Sequence, residues 1–585
     1  MPRILSGAAG FDAVDLDNIG GMFLSCPIRL RVRGHAQDGC DRSPGRPLMT
    51  GIPASSVRRT RPGQRRVAAA LAAVSMVVVA ACAGQSSATD GDQTFSVGIP
   101  TFFVQNLTPG SSGSSYVDYA IWSPLTRVDG QSGKLEMLVA ESIESTDNVN
   151  WTVKLKSGWT FHDGSPVTAQ SFADSWNATA LGANALTGNA SMAILAGYAA
   201  MNPPKGKPAA KELSGVKVVD DSTLTVTLAE PNALLPYILS ATAFAPLPSG
   251  ATKDLKKFGT HPIGNGPFKT SGWDTGAQDI KLERYDGYAG TKATAAEVDL
   301  HVYQQTGAIY TDFQAGTIDL ALLDGADLSK AKKDTPEQVV DVQYPAVVYL
   351  SFPLYDSRFA NPQLRTAISM AIDREAIVKS LLAGNAKTAT GLAPPTLTGG
   401  GEAKCDGCAY DPQQAKAALQ AAGGWNGPMT LYTYQDPTNE KVLQAIANQL
   451  RTNLGIEKVT FEAQPIAQLY EGFAGKSIKG PSLLYSGSPY PHIYAMADQM
   501  FSTGAPLNVT GYDSKSFAGS LARAASSKDP NSTTTFAKQA ADQALADLPV
   551  APLYWPLGGL VHSDKLSGVV PEVLGGARLS VVKAG

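Results

Sequence analysis

Trp151-Thr152-Val153-Lys154-Leu155-Lys156, followed after one residue by Gly158-Trp159-Thr160-Phe161-His162-Asp163-Gly164-Ser165-Pro166-Val167-Thr168-Ala169, is the stretch on which the reading of the fold turns. Trp151, Val153 and Leu155 alternate with polar neighbours, which predicts a strand with one buried face. Asp163-Gly164 predicts a tight turn. Thr168 predicts the N-cap of a helix carrying Phe172 and Trp176. Downstream, Leu224, Val226 and Leu228 alternate in the same way. Asn361-Pro362 opens a helix with Leu364, Ile368 and Ala371 inward. Asp373 caps a second helix, with Ile377 and Leu381, that ends at Gly384. Asp411-Pro412 opens a third, with Ala415, Ala418, Leu419 and Ala422 on one side. Asn439 opens a fourth, carrying Val442, Leu443, Ile446, Leu450 and Leu454, with Gly455 as its stop. The strand 459–463 follows it. Helices alternating with strands predict α/β lobes.

The composition agrees with a large globular body. The 585 residues are 43% apolar and 17% charged, and mean hydropathy is -0.07. This excludes a disordered chain and a polytopic membrane protein. Net charge is -3, with +6 in residues 1–81 and -9 in the remainder. An acidic body lacks the basic face that nucleic acid requires.

The +6 belongs to an export segment. Arg58-Arg59-Thr60-Arg61 and Arg65-Arg66 precede an apolar run from Val67 to Ala81, and Cys82 follows. That order is the grammar of a signal peptide, and the run is shorter than the roughly 20 residues of a spanning helix. Val79-Ala80-Ala81-Cys82 resembles a bacterial lipobox, which implies cleavage before Cys82 and a lipid on its sulfur. Residues 82–92 then read as a flexible tether. A start at Met49 would give a signal of ordinary length, so residues 1–48 are expected to be an over-extended start.

Signatures of catalysis fail one by one. The six His form neither HExxH nor HxH, and there is no GxSxG elbow. Gly475-Lys476-Ser477 ends like a phosphate loop, but Tyr470 stands where the first Gly is needed. No GxGxxG follows a strand. Cys405 and Cys408 form a CxxC that suits metal or redox chemistry in a reduced compartment and a structural disulfide outside it. A zinc site would need a second ligand pair, which the sequence lacks. The expectation is a disulfide, no metal, no cofactor and no enzyme.

Four stretches, in order, resemble the family 5 extracytoplasmic solute-binding proteins, the oligopeptide- and dipeptide-binding components of ABC importers. They are Leu138-Val139-Ala140-Glu141-Ser142 continuing through the opening stretch; Pro262-Ile263-Gly264-Asn265-Gly266-Pro267-Phe268; the helix from Asn361 to Arg374, similar to R-x-A-I-x-x-A-I-D-R; and Tyr410 to Leu419. The resemblance implies an α/β, two-lobed, periplasmic-binding-protein-like fold of class II type with an extra subdomain in lobe I. By analogy lobe I spans 93–345, including a subdomain at about 112–244. Lobe II spans 346–544, and residues 545–585 return to lobe I. Arg365 and Arg374 are expected to pair with carboxylates of the fold. The implied function is capture of oligopeptides or dipeptides by lobe closure, as a monomer anchored by lipid to the outer face of the cytoplasmic membrane. Delivery would be to permease and ATPase subunits on separate chains.

Ligand contacts are expected from Asn106, Tyr349, Tyr485, Ser486, Ser488 and Tyr490. Peptide-binding members carry a Trp-x-x-Asp-Tyr segment whose Asp pairs with the peptide amino group. Here Tyr485 falls at the Trp, and Ser488 or Pro489 at the Asp. An ammonium without a counter-charge binds poorly. The alternatives are a non-peptide solute (a glycoside, modified peptide or metal chelate), a different acid such as Asp498, or, more remotely, a secreted carboxylate-pair hydrolase.

Overall fold

The computed structural model describes residues 93–585 except 101–105, 113, 131, 204, 274–278, 402, 404, 506 and 574. The export segment, Cys82 and the tether lie outside the described residues. The described residues form a twelve-stranded mixed sheet, a separate four-stranded sheet and two short ribbons.

Eight strands of the large sheet fix the architecture. In its first half are β1 (Thr94–Pro100), β2 (Glu297–Tyr303), β3 (Leu320–Leu323) and β4 (Val339–Gln343). In its second half are β5 (Ala346–Ser351), β6 (Met429–Tyr434) and β7 (Ser482–Gly487). The last, β8 (Val550–His562), belongs to both. Its residues 550–554 pair with β5, and Tyr554 to Pro556 pair with the strand Ala386–Thr388. From Leu557 onward its partners are β4 and β3. The chain therefore passes between the halves twice, at Tyr344-Pro345 and at Pro556-Leu557. Gln343 ties the two passages together by donating from Nε2 to the Pro556 carbonyl at 3.0 Å. Residues 550–556 complete the second half's sheet, and pairing with the first half begins at Leu557.

β5 reads Ala-Val-Val-Tyr-Leu-Ser and is buried at every position, as a central strand covered on both faces must be. Pro552 sits where β8 shifts register against β5, a place that needs no ladder N–H.

The opening stretch behaves as its pattern predicts. Asn150–Leu155 is a strand with Trp151, Val153 and Leu155 buried. Gly164 takes φ +83 in the turn, and Thr168 shares a capping box with Ser171 at the head of the helix Ala169–Ala180. His162 joins this stretch to the Pro262–Phe268 loop. Its N–H donates to the Gly264 carbonyl at 2.8 Å, the Gly264 N–H donates to Nδ1 at 3.1 Å, and Nε2–H donates to the Gly266 carbonyl at 3.2 Å. Burial pushes the imidazole down to about 4, so it is neutral when it makes these bonds.

Two expectations need correction. Arg365 and Arg374 do not use carboxylates as their hydrogen-bond partners. Arg365 donates to the carbonyls of Leu548, Phe359 and Ala360 at 3.0, 2.7 and 3.0 Å. Arg374, 4% exposed, donates to the carbonyls of Pro552, Ser369 and Ile372 and to Ser369 Oγ. Both satisfy helix-end and bulge carbonyls that would otherwise be orphaned. The helix read as opening at Asn439 starts earlier, as Pro437–Leu454. Asp436 is its cap and accepts the Asn439 N–H at 2.8 Å. The Asp-Pro pair outranks Asn439 because proline suits the first helical position.

Cys405 and Cys408 are joined in a disulfide with Cα atoms 5.2 Å apart.

Candidate solute-binding cleft

Strand direction locates the cleft. β5 starts at the crossing, so antiparallel β7 ends there: Gly487 lies opposite Ala346. β6 runs parallel to β7 and ends on the same edge. In the first half, β3 runs antiparallel to β8, with Leu323 opposite Gly559, so its carboxyl end also faces the crossing. β1 and β2 run parallel to β3 and to each other. Both halves thus turn the carboxyl ends of their parallel strands toward the crossing, the edge where open α/β sheets bind ligands.

Residues at and near those ends, with Tyr554 of β8, form an aromatic and acidic wall. Tyr485, near the end of β7, is 46% exposed, yet burial of its ring and then Tyr434 raise its phenol pKa, as expected on the wall of a cleft. Burial raises the phenols of Tyr434, Tyr344 and Tyr554 too, and Asp436 adds to it at Tyr434, Asp324 and Tyr485 at Tyr344, and Tyr434 and Asp436 at Tyr554. Asp324 follows β3, and Asp436 follows β6. Burial, then Asp327 and Asp436, raises the Asp324 carboxyl. Tyrosine faces beside carboxylates suit a ligand with a cationic or planar group.

The expected contact residues divide. Tyr485 offers an open face. Asn106 is half-buried beyond the carboxyl end of β1, and its Oδ1 accepts the Thr108 N–H at 2.9 Å. Tyr490 is wedged between the core of the second half and that of the four-stranded region. Ser486 is 1% exposed, and its hydroxyl accepts from Gln499 Nε2 at 3.1 Å. Ser488 is a bracket: its N–H donates to the Pro345 carbonyl at 2.8 Å and its hydroxyl to the Tyr490 carbonyl at 2.6 Å. Tyr349 has no open face. It is 2% exposed within the core, because β5 is covered on both sides. Asp498 is half-buried on the helix Ile493–Phe501, where it accepts from Ser502 Oγ. Its carboxyl is raised first by burial and also by Glu230.

Sequence reasoning missed Asp324, Tyr344, Tyr434, Asp436 and Tyr554. Only Asp436 had a readable signal, the Asp-Pro pair that also marks the third helix. Among the described residues no group of three His, Cys, Asp or Glu is placed to hold a metal, and no helix is long and apolar enough to cross a membrane.

Residues 134–492 match the family model for the bacterial extracellular solute-binding proteins, family 5 Middle. The chain belongs to this family. Among relatives of this family 5 protein, the glutathione-binding protein GsiB of Escherichia coli O157:H7 is 28% identical over 464 residues, covering 75% of this chain and 84% of that one. The dipeptide-binding protein DppE of Bacillus subtilis is 24% identical over 530 residues, covering 86% and 95%. Among solved structures, the unliganded open form of the periplasmic murein tripeptide binding protein MppA superposes with a TM-score of 0.74 at 22% identity, over 84% of this chain and 98% of that chain. The fold of the family 5 protein is therefore the two-lobed α/β fold of such binding proteins.

Proposed function

We propose that this family 5 protein captures short peptides in the cleft between the carboxyl strand ends and delivers them to a permease and ATPase on separate chains. The observation that carries the reading is the pair of opposed strand edges walled by Tyr344, Tyr434, Tyr485, Asp324 and Asp436. The glutathione and dipeptide specificities of its relatives support it. An extended peptide would lie against the strand ends with main-chain hydrogen bonds, as an added strand does. We assign lobe I to residues 93–343 with 557–585, and lobe II to 346–555. The protein acts as a monomer and without chemistry on its solute.

Native mass spectrometry of the purified protein, followed by denaturation and identification of what is released, tests the reading. A ladder of peptides supports it. A single non-peptide mass overturns it in favour of the second reading, a non-peptide solute, which the uncharged Ser488 favours. Tyr485→Ala is expected to weaken binding of the released ligand about tenfold, the effect of losing one aromatic face against a charged or planar group. The unfolding temperature should hold, since the side chain is open to solvent. Unchanged affinity in calorimetric titration would remove Tyr485 from the site.

Membrane attachment rests on Cys82. Cys82→Ala should leave the protein uncleaved or release it into the medium. Retention on membranes with an unshifted mass would sink the lipid anchor.

A further inference from the structure

The four-stranded sheet, built from Ala140–Ser145, Asn150–Leu155, Val216–Asp220 and Thr223–Thr227, is fastened to the first half. The fastening runs through His162 to the Gly264–Gly266 backbone, and through the Tyr285 hydroxyl, which donates to the Phe161 carbonyl at 2.7 Å. It also reaches across to the second half, through residues other than those of the two chain crossings. The helix Lys515–Ser526 ends there, and helix ends leave carbonyls without intrahelical partners. The Asn148 amide Nδ2 donates to the Ser527 carbonyl at 2.7 Å and to the Ala525 carbonyl at 3.3 Å. The Ala233 N–H donates to the same Ala525 carbonyl at 3.0 Å. One half thus caps a helix of the other.

The capping residue is held for the task. Asn148 is 5% exposed and has φ +59, a left-handed conformation that Asn tolerates better than most side chains. Its N–H donates to Ser145 Oγ at 2.9 Å, and its carbonyl accepts the Asn232 N–H at 2.9 Å. Around it, Leu234 is buried among the helices of the second half, and Tyr237 meets His492 edge-on at 5.4 Å. Thr398 Oγ1 donates to the Gly133 carbonyl at 3.2 Å.

We propose that Asn148 is the clasp of a third, noncovalent junction between the halves, one that restrains how far the cleft opens when no solute is bound. The two covalent crossings fix where the halves pivot. The Asn148 clasp sets how wide they swing, and through that the readiness of the empty protein to take up solute.

Glycine at 148 keeps the left-handed backbone and deletes the amide. Aspartate replaces the donor with a carboxylate facing two carbonyls. The purified protein, stripped of solute by unfolding and refolding, is compared with Asn148→Gly and Asn148→Asp by small-angle scattering and by hydrogen exchange at the Ala233 amide. Both variants are expected to show a larger radius of gyration, Asp more than Gly. Exchange at Ala233 is expected to rise about tenfold or more, as loss of a buried junction requires. Should Asn148→Asp fail to refold, Asn148→Gly alone decides. A folded variant with unchanged scattering and unchanged exchange overturns the proposal, as does a parent protein whose Ala233 amide already exchanges like a free peptide.

Discussion

Gly264→Ala should destabilise the protein by at least about 3 kcal/mol, the upper part of the usual range for overpacking a core. A Cβ built on Gly264 lies 2.1 Å from the Ile121 carbonyl oxygen and 2.7 Å from the Ile121 side chain. The nearest obstacle is backbone, so no rotamer change relieves the clash. Moving the loop away would break the paired bonds between Gly264 and His162 and the Gly266 N–H bond to the Ile121 carbonyl at 2.8 Å. Denaturant unfolding of Gly264→Ala beside Gly504→Ala measures the effect. The control glycine has φ +80 but nothing within 4 Å, so it carries only the backbone cost. If the two variants unfold at the same denaturant concentration, close approach is not what position 264 requires.

Asp118→Asn works in the opposite direction and should stabilise the protein at alkaline pH. Asp118 lies on the helix Ser115–Ile121, 8% exposed, and accepts from Ser112 Oγ at 2.7 Å and Thr242 Oγ1 at 3.3 Å. Burial pushes its carboxyl up to about 7, and the hydroxyl bonds only partly offset this. The unfolded carboxyl ionises near 3.9. Between those values the folded state holds a proton that the unfolded state has lost. Stability from this group is therefore complete below about pH 4 and declines until about pH 7. Three pH units correspond to at most about 4 kcal/mol. Asparagine keeps an acceptor for Ser112 and carries no charge to bury. The variant should gain about 2–4 kcal/mol at pH 8, with the gain shrinking toward pH 4. Thermal melts of both proteins across this range check it. A gain equal at pH 4 and pH 8 would mean that Asp118 is not ionising where burial places it.

Local patterns carried much of the fold into view. The strand at 151–155, the Asp163-Gly164 turn and the Thr168 cap are set by residues within a few positions of one another, so period and cap chemistry reveal them. The partners of Arg365 and Arg374 are not legible in the sequence because they are carbonyls, some within six residues and others, at Leu548 and Pro552, close to 180 residues away, and a carbonyl leaves no mark in a sequence. The proposed cleft is legible only in part. Tyr485 and the missing acid stood out against the family pattern. Asp324 and Asp436 did not, because their meeting depends on two strand edges being brought together by β8.

That shared strand also bears on timing. β8 lies between β5 and β3, and neither half can close its sheet without it. On a ribosome β8 is made after every other strand of the large sheet. Until it is made, neither half has a complete sheet, so the closing of both waits on the same strand.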